Sequence, residues 1–127
     1  MSQFLVIKSS QNPLTKTPNI TFKKRDASFE PSLSSENLYE VTDSHETSDF
    51  LFTEAQSQMI EGMEFEKTRL YAVVIELYKA GASLYFWYGS DSADLPVYTN
   101  IETLLEDLQT AVKTSACEFY GKIETEK

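Results

Sequence analysis

Carboxylates are the side chains most able to do chemistry in this chain, and most of them fall in one stretch. Residues 26–66 hold eleven acidic residues and no Lys or Arg, whereas residues 1–25 hold five basic residues and no acid. Clustered carboxylates can bind a cation, and an unbroken block of one charge attracts partners of the opposite sign. The stretch therefore predicts either a carboxylate site or an electrostatic binding surface.

Two groups of acids have spacings that would suit a cation, but neither is accompanied by a calcium-loop motif. Glu61, Glu64 and Glu66 are close together in sequence, and Asp91 and Asp94 share a short loop. The sequence contains no EF-hand pattern, no Gly-rich phosphate loop and none of the common hydrolase motifs. We therefore predict no metal, no cofactor and no catalytic residue.

The other reactive side chains are one histidine and one cysteine. His45 lies in a polar loop between acids, where a solvated imidazole without a catalytic role is expected. Cys117 lies opposite the apolar stripe of the last predicted helix, so we expect it to be partly exposed, with only Lys113 close enough to lower its pKa. One Cys and one His exclude an internal disulfide and the common zinc arrangements.

Size and composition predict one folded domain spanning residues 1–127. The chain is 41% apolar and 13% aromatic, which is enough to bury a core. It shows neither a secretory leader nor an apolar run long enough for a membrane span, so we expect a cytoplasmic protein. The net charge of −9 argues against direct binding of nucleic acid or of anionic membranes, because both need clustered Lys and Arg.

The part of the acidic stretch over residues 26–50 is expected to be rich in loops. The strands and helices on either side must therefore hold it in place. Residues 70–78 and 84–88 are β-branched and aromatic on both sides of Gly81. This pattern predicts a central β-hairpin, with a helix over 68–79 as the competing interpretation. Shorter β-prone runs predict further strands at residues 4–7, 20–23, 38–41 and 96–98.

A shorter helix is expected near residues 53–62. Its apolar residues recur at helical spacing, and Thr53 with Gln56 forms a possible capping box. Gly62 would lie near its end, where glycine is favoured. The apolar positions are Phe52, Ala55, Met59 and Met63.

A longer amphipathic helix is expected over about 100–119. Thr99 with Glu102 forms a capping box, and Asn100 is an alternative cap. The apolar residues that follow occupy one narrow arc of a helical wheel, up to a predicted end near Gly121. The tail over 122–127 is expected to fray.

These elements together predict an α+β fold. An antiparallel sheet of about four to five strands would carry the long C-terminal helix on one face, with the shorter helix near 53–62 as a second element. The sequence does not specify the strand order or the hairpin register.

The function best matched by this composition is that of a small, acidic, non-catalytic binding protein. Toxin-neutralising immunity proteins share the general profile, so we expect an inhibitor that neutralises a basic protein partner such as a nuclease-like toxin. Carboxylates would speed the encounter, and an aromatic anchor would supply affinity. The expected contact residues are Glu40, Asp43, Glu46, Asp49 and Glu54, with Trp87 as the anchor.

Three alternatives stay open. One is a nucleic-acid-mimicking inhibitor of a defence protein, which uses the same acidic surface. Another is a small ligand-binding or enzymatic domain with a pocket between sheet and helix. The third is a structural subunit that self-associates through the apolar hairpin.

Overall fold

The computed structural model describes residues 3–9, 15–25, 38–42, 48–89, 94–114 and 117–125. Within these residues the chain forms strands, three helices and one 3₁₀ turn. The elements are β1 (Gln3–Lys8), β2 (Thr21–Arg25), β3 (Leu38–Thr42), α1 (Asp49–Ile60), the 3₁₀ turn (Phe65–Lys67), α2 (Arg69–Lys79), β4 (Ser83–Tyr88), β5 (Val97–Tyr98), α3 (Ile101–Lys113) and β6 (Gly121–Ile123).

In the described part of the chain, six strands form one sheet in the order β2-β3-β1-β4-β6-β5. Neighbouring strands are antiparallel except β5 and β6, which run parallel, so the sheet is mixed. The expectation of an antiparallel sheet with four to five strands is therefore corrected in both respects. The first strand occupies a central position, because β1 pairs with β3 on one side and with β4 on the other.

The three helices cover one face of the sheet, which confirms the α+β class. Alternate residues of β1 and β4 point to the helices, so Leu5, Ile7, Leu84 and Phe86 enter the main core while Val6 points to the other face. α1 packs against both α2 and α3. None of the helices described here is long and apolar enough to cross a membrane.

Residues 69–79 form the helix α2, so the predicted hairpin is wrong and the competing interpretation is confirmed. The Thr68 hydroxyl caps the helix by accepting the Tyr71 N–H at 3.2 Å. At the other end Gly81, with φ of 95°, closes a Schellman motif in which Ala82 N–H donates to Leu77 C=O at 3.0 Å. The glycine ends a helix here rather than turning a hairpin.

The shorter helix begins earlier than predicted, because α1 begins at Asp49 and ends at Ile60. The Thr53–Gln56 pair therefore lies inside the helix and does not cap it. Its end matches the prediction: Gly62, with φ of 101°, closes a second Schellman motif, with Met63 N–H donating to Gln58 C=O at 2.9 Å.

The last helix is capped by Asn100, whose side-chain oxygen accepts the Glu102 N–H at 2.7 Å. It ends at Lys113 rather than near residue 119, because Thr114 adopts an extended conformation. The following chain returns to the sheet as β6, so the predicted fraying is wrong for residues 122 and 123. Gly121 is part of that strand, and a Cβ atom there would lie 2.6 Å from the Tyr98 ring.

A buried glutamine fixes this returning segment. The side chain of Gln3 is fully buried, and it bonds both backbone groups of Phe119. Phe119 N–H donates to Gln3 Oε1 at 2.8 Å, and Gln3 Nε2 donates to Phe119 C=O at 2.9 Å. The side-chain amide of Gln3 therefore makes the two backbone hydrogen bonds that a neighbouring strand would otherwise make with Phe119, just before β6 begins.

Candidate protein-binding surface

Two of the residues expected to contact a partner lie inside the protein. Glu40 in β3 is 1% exposed and Trp87 in β4 is 2% exposed. The Trp87 ring stacks on Phe4 at 5.2 Å between centroids, within a small apolar cluster on the face of the sheet opposite the helices. In this structure neither side chain offers surface to a partner.

Two more of the expected contact residues are bonded within the chain. Asp49 Oδ1 accepts the backbone N–H of Gln3 at 3.0 Å, which ties the start of α1 to the start of β1. Glu54 accepts two hydrogen bonds from the Arg69 guanidinium, at 3.0 and 3.1 Å. Asp43 and Glu46, like His45, lie outside the described residues.

Among the described residues of the 26–66 stretch, the exposed acids lie at its C-terminal end. Glu61, Glu64 and Glu66 are exposed on the segment from the end of α1 to the 3₁₀ turn. Glu102 and Glu106 project from the neighbouring helix α3 and are also exposed. Among the residues described, none of these five carboxylates takes part in a hydrogen bond or an ion pair.

Exposed apolar side chains lie among these acids. Ile60 is 79% exposed and Met63 is 39% exposed, and Val97 on β5 is the other large hydrophobic side chain exposed among the residues described. The Schellman motif at Gly62 reverses the chain between them. An apolar centre with a charged border is the composition of a protein-binding surface.

A groove of about 440 Å³ runs between this segment and α3. Met59 and Phe65 contribute apolar surface, and Met59 also packs against the main core. A smaller depression of about 250 Å³ adjoins it and shares Phe65, Glu66 and Gln109 with it. We refer to the groove, the adjoining depression and their acidic border as the acidic groove.

A larger cleft, of about 640 Å³, lies between residues 16–19, α1 and α2. Two of its charged side chains, those of Glu76 and Arg69, are already bonded to the segment over 15–19. Glu76 accepts the hydroxyls of Thr15 and Thr17 at 2.6 and 2.9 Å and the Lys16 N–H at 2.8 Å, and Arg69 donates to Pro18 C=O at 3.2 Å. These contacts hold residues 15–19 against α2, so we place the candidate site at the smaller groove.

The hydrogen bond from the Thr15 hydroxyl is the main cause that holds the pKa of Glu76 below its usual value, although partial desolvation opposes it. Glu76 is therefore ionised at neutral pH.

Cys117 is buried rather than partly exposed, which corrects the prediction. Its backbone has φ of 54°, outside any helix, and its Sγ lies 3.7 Å from the Phe52 carbonyl oxygen that accepts its S–H. Burial, followed by the charge of Asp49, raises the pKa of the thiol to about 11. The thiol is protonated at neutral pH and is unsuited to act as a nucleophile.

Sequence reasoning missed the apolar half of the acidic groove. Their helical spacing predicts that Met59 and Met63 belong to one helix, and the sequence suggests the three nearby glutamates as cation ligands rather than as partner contacts. In the structure Met63 lies beyond the helix end, and the described residues contain no group of three or more His, Cys, Asp or Glu placed to hold a metal ion. The signal present in the sequence was Gly62, because a left-handed cap turns the next residue away from the helix axis.

No protein-family model, curated protein or solved structure shows a significant match to this chain.

Proposed function

We propose that this chain is a non-catalytic binding protein that neutralises a basic protein partner, in the manner of an immunity protein that blocks a nuclease-like toxin. The observation that carries the proposal is the acidic groove, where exposed Ile60 and Met63 lie near five exposed carboxylates that have no partner among the described residues. Apolar groups at the centre of an interface supply most of the affinity, while the charged border sets rate and specificity.

The distribution of charge along the chain supports the same function. The acidic stretch contributes −11 to a net charge of −9. A field of one sign attracts a basic partner over distances of about 10 Å at 0.1 M salt and repels acidic proteins. The partner would therefore be selected by its charge before any close contact forms.

The test is capture of proteins from lysate of the source organism, with the tagged chain as bait at low and at physiological salt. We expect a basic protein that is retained at low salt and weakened at higher salt. Glu64→Lys should reduce its capture, because it reverses one charge on the border of the groove.

Glu118→Lys is the matched control, since Glu118 is also exposed and the charge change is the same. Equal loss in both variants would mean that net charge alone matters. Capture that is insensitive to salt and to both variants would refute the proposed function.

A further inference from the structure

We infer that the acidic groove receives a basic amphipathic segment of the partner, meaning one that carries an apolar residue flanked by Lys or Arg. The inference rests on the proposed function and deepens it, because it assigns the docking site and the chemistry of the occupant. It rests on three features of the groove: its floor, its border and the way in which it is held open.

The apolar floor of the groove is adaptable. Its apolar lining residues are Met59, Ile60, Met63 and Phe65, which lie beside the polar Gln56 and Gln109. Methionine is unbranched and polarisable, so it can adjust its shape to different apolar side chains. A floor of this kind fits one projecting aliphatic or aromatic residue better than a polar small molecule.

In the described chain, the border of the groove is mainly acidic and its carboxylates are unpaired. Glu64, Glu66, Glu102 and Glu106 line the two depressions, and Lys113 lines the groove as well. Glu61 and Lys67 line a neighbouring depression. Each glutamate is solvated in the free protein, so it loses little when a partner cation replaces water. Charge complementarity therefore specifies a segment that carries several Lys or Arg residues.

The groove is held open by backbone structure. Glu61 N–H donates to Ser57 C=O at 3.2 Å, and Gly62 N–H donates to Met59 C=O at 3.0 Å. Further along the same wall, Lys67 N–H donates to Glu64 C=O at 3.0 Å within the 3₁₀ turn. Because this segment is already hydrogen-bonded and the opposite wall is the helix α3, a partner would bind without first ordering the segment, which lowers the entropic cost of association.

A second copy of the chain fits this surface less well than a basic segment does. In a symmetric dimer the same patch meets itself, so glutamates would face glutamates. The inference therefore commits to a basic partner segment, and self-association is one of the outcomes that would overturn it.

The first experiment uses a fluorescein-labelled peptide of about 14 residues, built of Lys and Leu with Leu at helical spacing. Binding to the whole protein is followed by fluorescence anisotropy at roughly 20 mM and 150 mM salt. A peptide with Ser in place of Leu, and one with Glu in place of Lys, are the controls. We expect the first peptide to bind more tightly than both, and equal binding of either control peptide would overturn the inference.

The second experiment locates the site. Ile60→Ser should weaken peptide binding about tenfold, because it removes an exposed apolar contact, and it should leave folding intact at a position 79% exposed. Val97→Ser, a similar change at a 66% exposed position on β5, should leave binding unchanged. Equal binding by wild type and Ile60→Ser would place the peptide elsewhere and overturn the inference.

The border is tested separately. The double variant Glu64→Gln, Glu66→Gln should bind the peptide more weakly and with less dependence on salt, whereas Glu118→Gln should match the wild type. Sedimentation of the free protein completes the set, because a dimer that Ile60→Ser dissociates would assign the groove to self-association instead.

The outcomes separate this inference from the proposed function. If the wild type captures a basic protein in a salt-dependent way but Ile60→Ser captures it equally well, the docking site is wrong and the function stands. If no salt-dependent basic partner is captured, the function fails together with the docking site.

Discussion

At the scale of single residues, hydrogen bonding divides the carboxylates into two sets that their positions in the sequence do not distinguish. Asp49 and Glu54 belong to the same acidic stretch as Glu61 and Glu64, yet the first two hold the fold together and the last two are exposed. The stretch was predictable from composition, whereas the division was not. A carboxylate's partner depends on residues distant in sequence, as Asp49 shows by accepting from Gln3.

Replacement of Gln3 should lower the stability of the fold, because its buried side chain bonds two backbone groups of Phe119. In Gln3→Ala, the N–H and C=O of Phe119 would remain buried without their partners, which should lower the free energy of unfolding by about 2–3 kcal/mol. Urea denaturation measures the change. Gln109→Ala, at a partly exposed position on α3, is the control and should cost well under about 1 kcal/mol. Similar costs for the two variants would contradict the role assigned to Gln3.

At the scale of elements, helical spacing prevailed over β propensity. Val73, Val74 and Ile75 are β-branched and favoured a strand, but Leu70, Val73, Val74 and Leu77 recur at the interval that places them on one face of a helix, and all four are buried. Strands β1, β2 and β3 were predictable from short apolar runs. The end of α3 was not predictable from the sequence, because the apolar pattern continues past Lys113. Beyond the helix, Cys117 and Phe119 pack into the core from the segment that leads to β6.

The turn at Gly62 should be sensitive to substitution because of its conformation rather than its surroundings. With φ of 101° and no atom within 4 Å of an added Cβ, Gly62→Ala meets strain but no clash. We expect a loss of about 1 kcal/mol in unfolding free energy. Gly62→Asn should lose less, since Asn tolerates positive φ better than Ala. Thermal unfolding measures both, and an Ala variant as stable as the wild type would count against the strained turn.

The segment over 15–19 should depend on the carboxylate of Glu76. Glu76→Gln keeps the shape of the side chain but removes the charge that accepts three hydrogen bonds, so trypsin should cleave after Lys16 roughly threefold to tenfold faster. Glu61→Gln, at an exposed and unpaired position, is the control. Unchanged cleavage after Lys16 in Glu76→Gln would show that other contacts hold the segment.

The same contact predicts a pH dependence. Because the folded pKa of Glu76 is lowered below 4.5, its contribution is fully present above that value and is lost as the pH falls through the folded pKa. Amide NMR signals of residues 15–19 should therefore broaden or shift on acidification, before the core unfolds. In Glu76→Gln, those signals should show no such step.

At the scale of the whole molecule, the fold separates a basic edge from an acidic groove. β2, at one edge of the sheet, carries Lys23 and Lys24 exposed, while the unpaired glutamates lie on the helical layer. Composition predicted an acidic surface in general terms. It did not predict where that surface lies, since sheet order and helix packing decide which acids reach solvent together.

Moving one charge tests this arrangement without changing the total. In the double variant Glu64→Lys, Lys24→Glu the net charge stays at −9 while the acidic groove loses part of its field. We expect the association rate with a basic partner or peptide to fall roughly fivefold at low salt. Lys24→Glu alone should not slow association. Stopped-flow fluorescence measures the rates, and an unchanged rate in the double variant would show that the overall charge, not its position, steers binding.

The central position of β1 has a consequence for how the protein is made. Of the described strands β1 is synthesised first, yet its neighbour β4 follows some 80 residues later. The hydrogen bonds of the Gln3 side chain cannot form until Phe119 has been synthesised. β6, from residues 121–123, is also the strand that joins β5 to the rest of the sheet. The described sheet therefore cannot close until residues 121–123 have emerged from the ribosome, so the chain must stay unassembled in solution for most of the synthesis of these residues.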